Sequence, residues 1–140
     1  MTGLEKIRDD HATLARIFKR LRGVIQRPSA PPVIALFDLR RELMSTLLAH
    51  LKLEDWALYP QLIDSREPEV ARVGRAFQEE MGGLAPAFLA YANTWNADSI
   101  GADWARYCQE TNAILDALMD RLTRENRELL PLLERLERAG

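Results

Sequence analysis

Apolar residues recur at intervals of three and four along most of the chain, a spacing that restricts the fold to packed amphipathic helices. Three polar or proline-rich segments interrupt this spacing, at residues 27–32, 64–69 and 93–103. They divide the chain into four long helical stretches, and no alternating pattern typical of β-strands competes with them. Four long helices joined by short linkers predict an all-α protein, an up-down-up-down four-helix bundle.

Glycines and prolines within the helical stretches predict local distortions. The third stretch contains Gly82, Gly83 and Pro86, so a bend is expected there. Pro60 and Pro131 also lie inside apparent helices. Because proline has no N–H to donate, each helix is expected to bend or to end at its proline, with a short helix continuing after it.

The composition is that of one domain, residues 1–140, with a substantial core. Hydrophobic residues make up 47% of the chain and charged residues 29%, which is too apolar for a disordered protein. The 19 basic residues are balanced by 21 acidic ones. Proteins that bind nucleic acid usually carry a basic excess, so no nucleic-acid partner is expected.

The single cysteine and the absence of long apolar runs bear on the compartment. Cys108 has no partner in the chain, which excludes an intrachain disulfide and favours a reducing environment. The first residues lack the apolar core of a signal peptide, and no stretch approaches the roughly 20 apolar residues of a membrane span. We therefore expect a cytoplasmic protein without a membrane partner, either a monomer or a homodimer.

Two segments of the chain are repeated about seventy residues later. The segment HLKLEDWALYP (50–60) aligns with RLTRENRELLP (121–131), and DDHATLARIF (9–18) aligns with EEMGGLAPAF (79–88). Since the offset holds over two helices in register, the repeat predicts a helical hairpin that is present twice and related by an approximate twofold axis.

The second copy of the hairpin differs from the first at the positions of both histidines. His50 aligns with Arg121, and His11 aligns with Met81. Apolar repeats align easily in any helical bundle, so these polar positions carry the information about function.

The two histidines and two glutamates form a candidate metal-ligand set. His50 and Glu54 are four residues apart, which places them on one face of a helix among leucines. His11 continues the apolar stripe of the first helix, and Glu125 repeats the placement of Glu54. Two histidines and two carboxylates that converge inside a bundle suit a metal ion. The spacing alone also allows hydrogen-bonded core histidines and glutamates at the rim.

The same segments resemble the hemerythrin-like (HHE cation-binding) family over nearly the whole chain. DDHATLARIF is similar to the family's first-helix histidine motif, and HLKLEDWALYPQL is similar to its His-x-x-x-Glu motif followed by Tyr-Pro. EEMGGLAPAF and RLTRENRELLPLL resemble the third- and fourth-helix motifs. The resemblance implies a four-helix bundle with a non-haem di-iron centre that binds oxygen, nitric oxide or peroxide, or that senses iron or redox state.

The chain departs from the family pattern at one of the two metal positions. The family's third-helix histidine is Met81 here, the one sometimes found a turn earlier is Phe77, and the fourth-helix histidine is Arg121. The resemblance therefore implies a half-lost centre, in which Arg121 occupies the place of the second cation and Met81 packs in the core. Four ligand positions remain: His11, His50, Glu54 and Glu125.

Two states of this half-lost centre are open. In the first, one divalent metal (Fe, Mn or Zn) binds among the four remaining residues. In the second, no metal binds, and Arg121 forms salt bridges with Glu54 and Glu125, which offsets the cost of burying two carboxylates. Oxygen carriage across two irons is not expected in either state.

These states lead to two functional hypotheses. The first is a metal-binding domain that acts as a sensor or regulatory module. The second is a metal-free bundle that works by binding an unidentified protein. A contact patch for such a partner could include the three tryptophans, Trp56, Trp95 and Trp104, but we predict that they pack at helix ends. No catalytic residues are predicted, because the chain has neither a glycine-rich phosphate loop nor a G-x-S-x-G nucleophile motif.

Overall fold

The computed structural model describes residues 3–139, and every regular element within that range is helical. This confirms the predicted all-α class. None of the helices in the described range is long and apolar enough to cross a membrane. The α-helices are α1 Gly3–Ile25, α2 Val33–Leu53, α3 Tyr59–Ile63, α4 Pro68–Met81, α5 Leu84–Thr94, α6 Ala97–Ala102, α7 Trp104–Arg124 and α8 Leu130–Ala139. Two π-helical turns, Glu54–Leu58 and Glu125–Leu129, join α2 to α3 and α7 to α8.

Pro60 and Pro131 each follow a π-helical turn. In the first turn the N–H of Tyr59 donates to the carbonyl of Glu54, and in the second the N–H of Leu130 donates to that of Glu125. Each helix then continues past its proline, which confirms the predicted distortion. A π turn carries one extra residue, so the helix can accommodate a proline that lacks an N–H. The glycine pair predicted to bend the third stretch separates α4 from α5.

The segment 93–103 was predicted as a linker, but it contains the helix α6. Asn96 and Ser99 form a capping box, in which each side chain accepts a hydrogen bond of 2.9 Å from the other residue's N–H. Ile100 of this helix is buried against the core. The cap and one apolar anchor therefore make a six-residue helix where the composition suggested a loop.

The tryptophan prediction is correct for one residue and wrong for another. Trp95 is buried, and its indole N–H donates to Glu110. Trp56, however, is 75% exposed, and the ammonium of Lys52 lies 5.6 Å from its ring centroid. The exposed fraction of Trp104 lies between those of the other two tryptophans. Trp56 faces outward because its neighbour Glu54 faces the interior on the same π-helical turn.

The polar centre described below lies between parts of the apolar core. The largest cluster is formed by residues of α1, α2, α5, α6 and α7, and includes Leu14 and Leu118. A second cluster surrounds Phe77 and Leu129, and a third includes Ile7. Because these clusters lie on either side of the centre along the helices, the polar side chains there are shielded from water.

Glycine is required where α3 and α4 pack together. A Cβ atom on Gly74 would lie 2.8 Å from the Cβ of Leu62. We expect Gly74→Ala to lower the free energy of unfolding by about 1 to 3 kcal/mol because of this overlap, as measured by urea denaturation. Gly23→Ala is the control, since nothing lies within 4 Å of its added Cβ. That change should raise the stability by up to about 1 kcal/mol, and equal effects of the two changes would contradict the prediction.

Candidate metal centre

The structure brings together the four side chains that the sequence singled out. One nitrogen or oxygen atom from each of His11, His50, Glu54 and Glu125 lies within 4.8 Å of all the others. All four residues are at most 4% exposed. They come from α1, from the end of α2 and from the first residues of the two π-helical turns. Three separate segments thus place two imidazoles and two carboxylates at one point in the interior.

Each of the four residues has one buried polar atom that lacks a hydrogen-bond partner. These atoms are His11 Nε2, His50 Nε2, Glu54 Oε2 and Glu125 Oε1. His11 Nε2 is 3.1 Å from Glu125 Oε1 and 3.7 Å from Glu54 Oε2, and His50 Nε2 is 3.1 Å from Glu54 Oε1. Buried polar atoms without partners are rare and costly. Two carboxylates facing two imidazole nitrogens therefore need positive charge between them, either as protons or as a cation.

The outer nitrogens of both imidazoles contact hydrogen-bond acceptors. His50 Nδ1 lies 3.1 Å from Asp10 Oδ2, and His11 Nδ1 lies 2.7 Å from Asn126 Oδ1. Both oxygens accept, so each Nδ1 carries the proton. In the neutral tautomer this leaves the lone pair on Nε2, the atom that faces the cluster.

A guanidinium occupies the other side of the two carboxylates. Arg121 is 2% exposed, and its Nη2 lies 3.1 Å from Glu54 Oε1 and 3.0 Å from Asp55 Oδ1. Its Nε lies 3.5 Å from Glu125 Oε2, and its Nη1 donates to the carbonyl of Met81 at 3.2 Å. Arg121 therefore shares Oε1 of Glu54 with His50 Nε2, and it approaches Oε2 of Glu125, whereas Oε1 of Glu125 faces His11. The Met81 side chain packs in the core beside Phe77.

Tyr59 completes the surroundings of Arg121 and Glu125. Its hydroxyl donates to Glu125 Oε2, and its ring centroid lies 5.3 Å from the guanidinium carbon. Burial, together with the charges of Glu125 and Glu54, raises the pKa of Tyr59, so the phenol stays protonated. The hydroxyl is therefore a permanent donor that holds the orientation of the Glu125 carboxylate.

The close carboxylates shift the protonation of the histidines. Burial opposes the charged form of His11, but the adjacent Glu125 and Glu54 outweigh it and raise its pKa to about 10. The pKa of His50 is also raised, because Glu54 outweighs burial. Burial opposes ionisation of Glu54 as well, yet His11 and His50 lower its pKa, whereas burial raises the pKa of Glu125. Without a metal the cluster therefore holds protons, which a cation would displace.

Sequence reasoning missed four residues that contact the cluster or Arg121. Their positions carried a signal, because each of three lies directly beside a predicted residue in the chain. Asp10 precedes His11, and Asp55 and Asn126 follow the two glutamates at equivalent positions of the repeat. Tyr59 lies five residues after Glu54, a spacing that places it toward the centre only because the π-helical turn adds a residue. The missed residues are Asp10, Asp55, Tyr59 and Asn126.

The comparison with known families agrees with this geometry. A family model described as the hemerythrin HHE cation binding domain matches residues 2–133. No curated protein and no solved structure matches the chain significantly. The match covers both copies of the hairpin and all the residues of the cluster.

Proposed function

The chain belongs to the hemerythrin HHE cation-binding domain family, and from this premise we propose that it binds one divalent metal ion and acts as a sensing or regulatory module. The ligands in this proposal are His11, His50, Glu54 and Glu125, which could hold a metal. The observation that carries it is that one nitrogen or oxygen atom from each of these buried residues lies within 4.8 Å of the others, and that each residue has a buried polar atom without a hydrogen-bond partner.

The spacing of these atoms fits a shared cation. The contacts between facing atoms of the cluster are 3.1 to 3.7 Å long. Ligand atoms at about 2.0 to 2.2 Å from one zinc ion lie at similar distances from each other. Two imidazoles with two carboxylates suit iron, manganese or zinc. When bound, the metal supplies a Lewis-acidic centre and, if it is iron, a change of redox state.

Arg121 is the reason that we propose one metal rather than two. Its guanidinium contacts Glu54 Oε1 and approaches Glu125 Oε2, so both carboxylates already have a positive partner. A fixed positive charge at this distance repels another cation. The same charge neutralises part of the acidic cluster. Arg121 thus acts as an internal counter-ion in the position of the second metal.

We also propose an order of the helices in the bundle and a cellular compartment. We propose that α1, α2 with α3, α4 with α5, and α7 with α8 run alternately up and down. The packing supports this order, because α1 contacts α2 and α7, and α5 contacts the same two helices. Cys108 is a free thiol, which suits a reducing compartment such as the cytoplasm.

Metal analysis tests the proposed function. We expect about one equivalent of Fe(II), Mn(II) or Zn(II) per chain, because one set of ligands faces one point. Chelation should lower the melting temperature by several degrees, since a bound ligand stabilises the folded state. His50→Ala should abolish uptake, whereas Glu79→Ala, which removes an exposed carboxylate of α4, should not. A protein that is purified without metal and takes up none of the three ions would overturn the proposal.

A metal-free module that binds another protein is the second candidate. Three apolar side chains at the start of α2 support it, because Val33, Ile34 and Phe37 are 61%, 76% and 60% exposed. Such exposed apolar residues are typical of contact surfaces. In this case chelation would leave the melting temperature unchanged, so the same thermal experiment separates the two candidates.

A further inference from the structure

We infer that Asp10 and Asn126 are positioning residues that set the affinity of the centre for a divalent cation by orienting His50 and His11. The inference rests on the proposed function, because it concerns the same four ligands. It goes further in assigning unequal roles to the two histidines.

A charged acceptor supports His50. Its ring is buried, and Nδ1 lies 3.1 Å from Asp10 Oδ2. The other oxygen of Asp10 accepts from the Lys6 ammonium at 3.2 Å, so the carboxylate is held from the surface side. Asp10 has a side chain that is 21% exposed, whereas the His50 side chain is 1% exposed. The contact therefore links a partly hydrated carboxylate to a ring in the interior.

A neutral acceptor supports His11. Its Nδ1 lies 2.7 Å from the amide oxygen of Asn126. Asn126 is solvent-exposed and, together with Ala12 and Ala15, lines a surface pocket that reaches His11. A carboxylate at position 126 would therefore fit where the amide now lies, without any change in the apolar core.

The two acceptors should have different effects on their histidines. A carboxylate that accepts from Nδ1–H fixes the ring and increases electron donation from the opposite nitrogen, and its loss typically lowers metal affinity about 10- to 100-fold. A neutral amide fixes the ring but donates less, since hydrogen bonds to charged acceptors are the stronger ones. His50 thus has the stronger hydrogen-bond acceptor at Nδ1. The acceptor of His11 is weaker, and a carboxylate at position 126 would strengthen it.

Exchanging the two acceptors tests the inference with Co(II) and Zn(II) as probes. Asp10→Asn should weaken Zn(II) binding by about 10-fold or more, and Asn126→Asp should strengthen it several-fold. The ligand-field bands of the Co(II)-loaded protein should shift in both variants, because the histidine donors change. The controls are Asp9→Asn, which removes an exposed charge beside Asp10, and Thr123→Asp, which adds an exposed charge on α7.

The possible outcomes separate this inference from the proposed function. If the wild-type protein binds Zn(II) but both variants bind it equally well and keep the Co(II) spectrum, only the positioning roles are overturned. If each variant changes affinity no more than its charge control, an electrostatic effect replaces the inference. If the wild-type protein binds neither ion, the proposed function fails and the inference fails with it. Should Asp10→Asn fail to fold, Asn126→Asp and its control still decide the question.

Discussion

Arg121→Met is expected to lower the free energy of unfolding by about 3 to 5 kcal/mol, the usual cost of removing one partner from a buried ion pair. Methionine keeps most of the side-chain volume, so the loss reflects charge and hydrogen bonds rather than a cavity. The measurement is urea denaturation of the metal-free protein, monitored by circular dichroism. The free energies of unfolding are compared if wild type and variant have the same m-value.

The magnitude follows from what the guanidinium contacts. It lies against Glu54, Asp55 and Glu125, and it donates to the carbonyl of Met81. Both glutamates are completely buried. Removing the guanidinium leaves these acceptors without their main positive partner on that side. The variant must then take up protons or admit water, and either response costs stability.

Arg124→Met is the matched control for this prediction. Arg124 lies one turn later on the same helix, its side chain is 26% exposed, and it contacts the partly exposed Glu80 and Glu128. Surface ion pairs contribute about 0 to 1 kcal/mol. Arg121→Lys should fall between the two variants, because lysine keeps the charge but not the planar set of donors. An Arg121→Met variant as stable as Arg124→Met would show that the guanidinium is not the counter-ion of the cluster.

The residues of the centre could be predicted because helical periodicity and the internal repeat constrain the same positions. His50 and Glu54 must share a face at a spacing of four, and the leucines around them show that this face points inward. The repeat then places Glu125 and Arg121 at the equivalent positions of the other hairpin. The sequence thus contained enough to bring together all four candidate ligands and the arginine.

The contacts that orient these residues could not be predicted from the sequence. The acceptor that His50 Nδ1 contacts depends on how α1 is rotated about its axis relative to α2. Helical periodicity does not fix this rotation, because it defines the buried face only to within about 100°. Asp10 lies at the edge of the buried face of α1, where a carboxylate is usually solvated. The π-helical turns also change the register after each glutamate, so Tyr59 faces the centre although an α-helical projection places it elsewhere.

A further prediction concerns the position that Arg121 occupies. The double variant Met81→His with Arg121→His is expected to bind two divalent ions per chain, one more than we propose for the wild-type protein. Without the guanidinium, Glu54 Oε1, Glu125 Oε2 and Asp55 Oδ1 become available as ligands, since all three now lie within 3.5 Å of Arg121. The carbonyl of Met81 lies 3.2 Å from the same guanidinium, so an imidazole at position 81 starts beside the vacated space.

Metal content of the double variant, after loading with Fe(II), Mn(II) or Zn(II), measures this expectation. Met81→His alone is the control and should bind one ion, because the arginine remains as a fixed cation. Arg121→His alone should bind the second ion weakly, since one imidazole and shared carboxylates give too few ligands for a closed site. A double variant that folds, as judged by circular dichroism, and still binds one ion would show that something other than the Arg121 charge keeps the second cation out. Two ions in the double variant and one in Met81→His would instead show that the residue at position 121 decides whether the second ion binds.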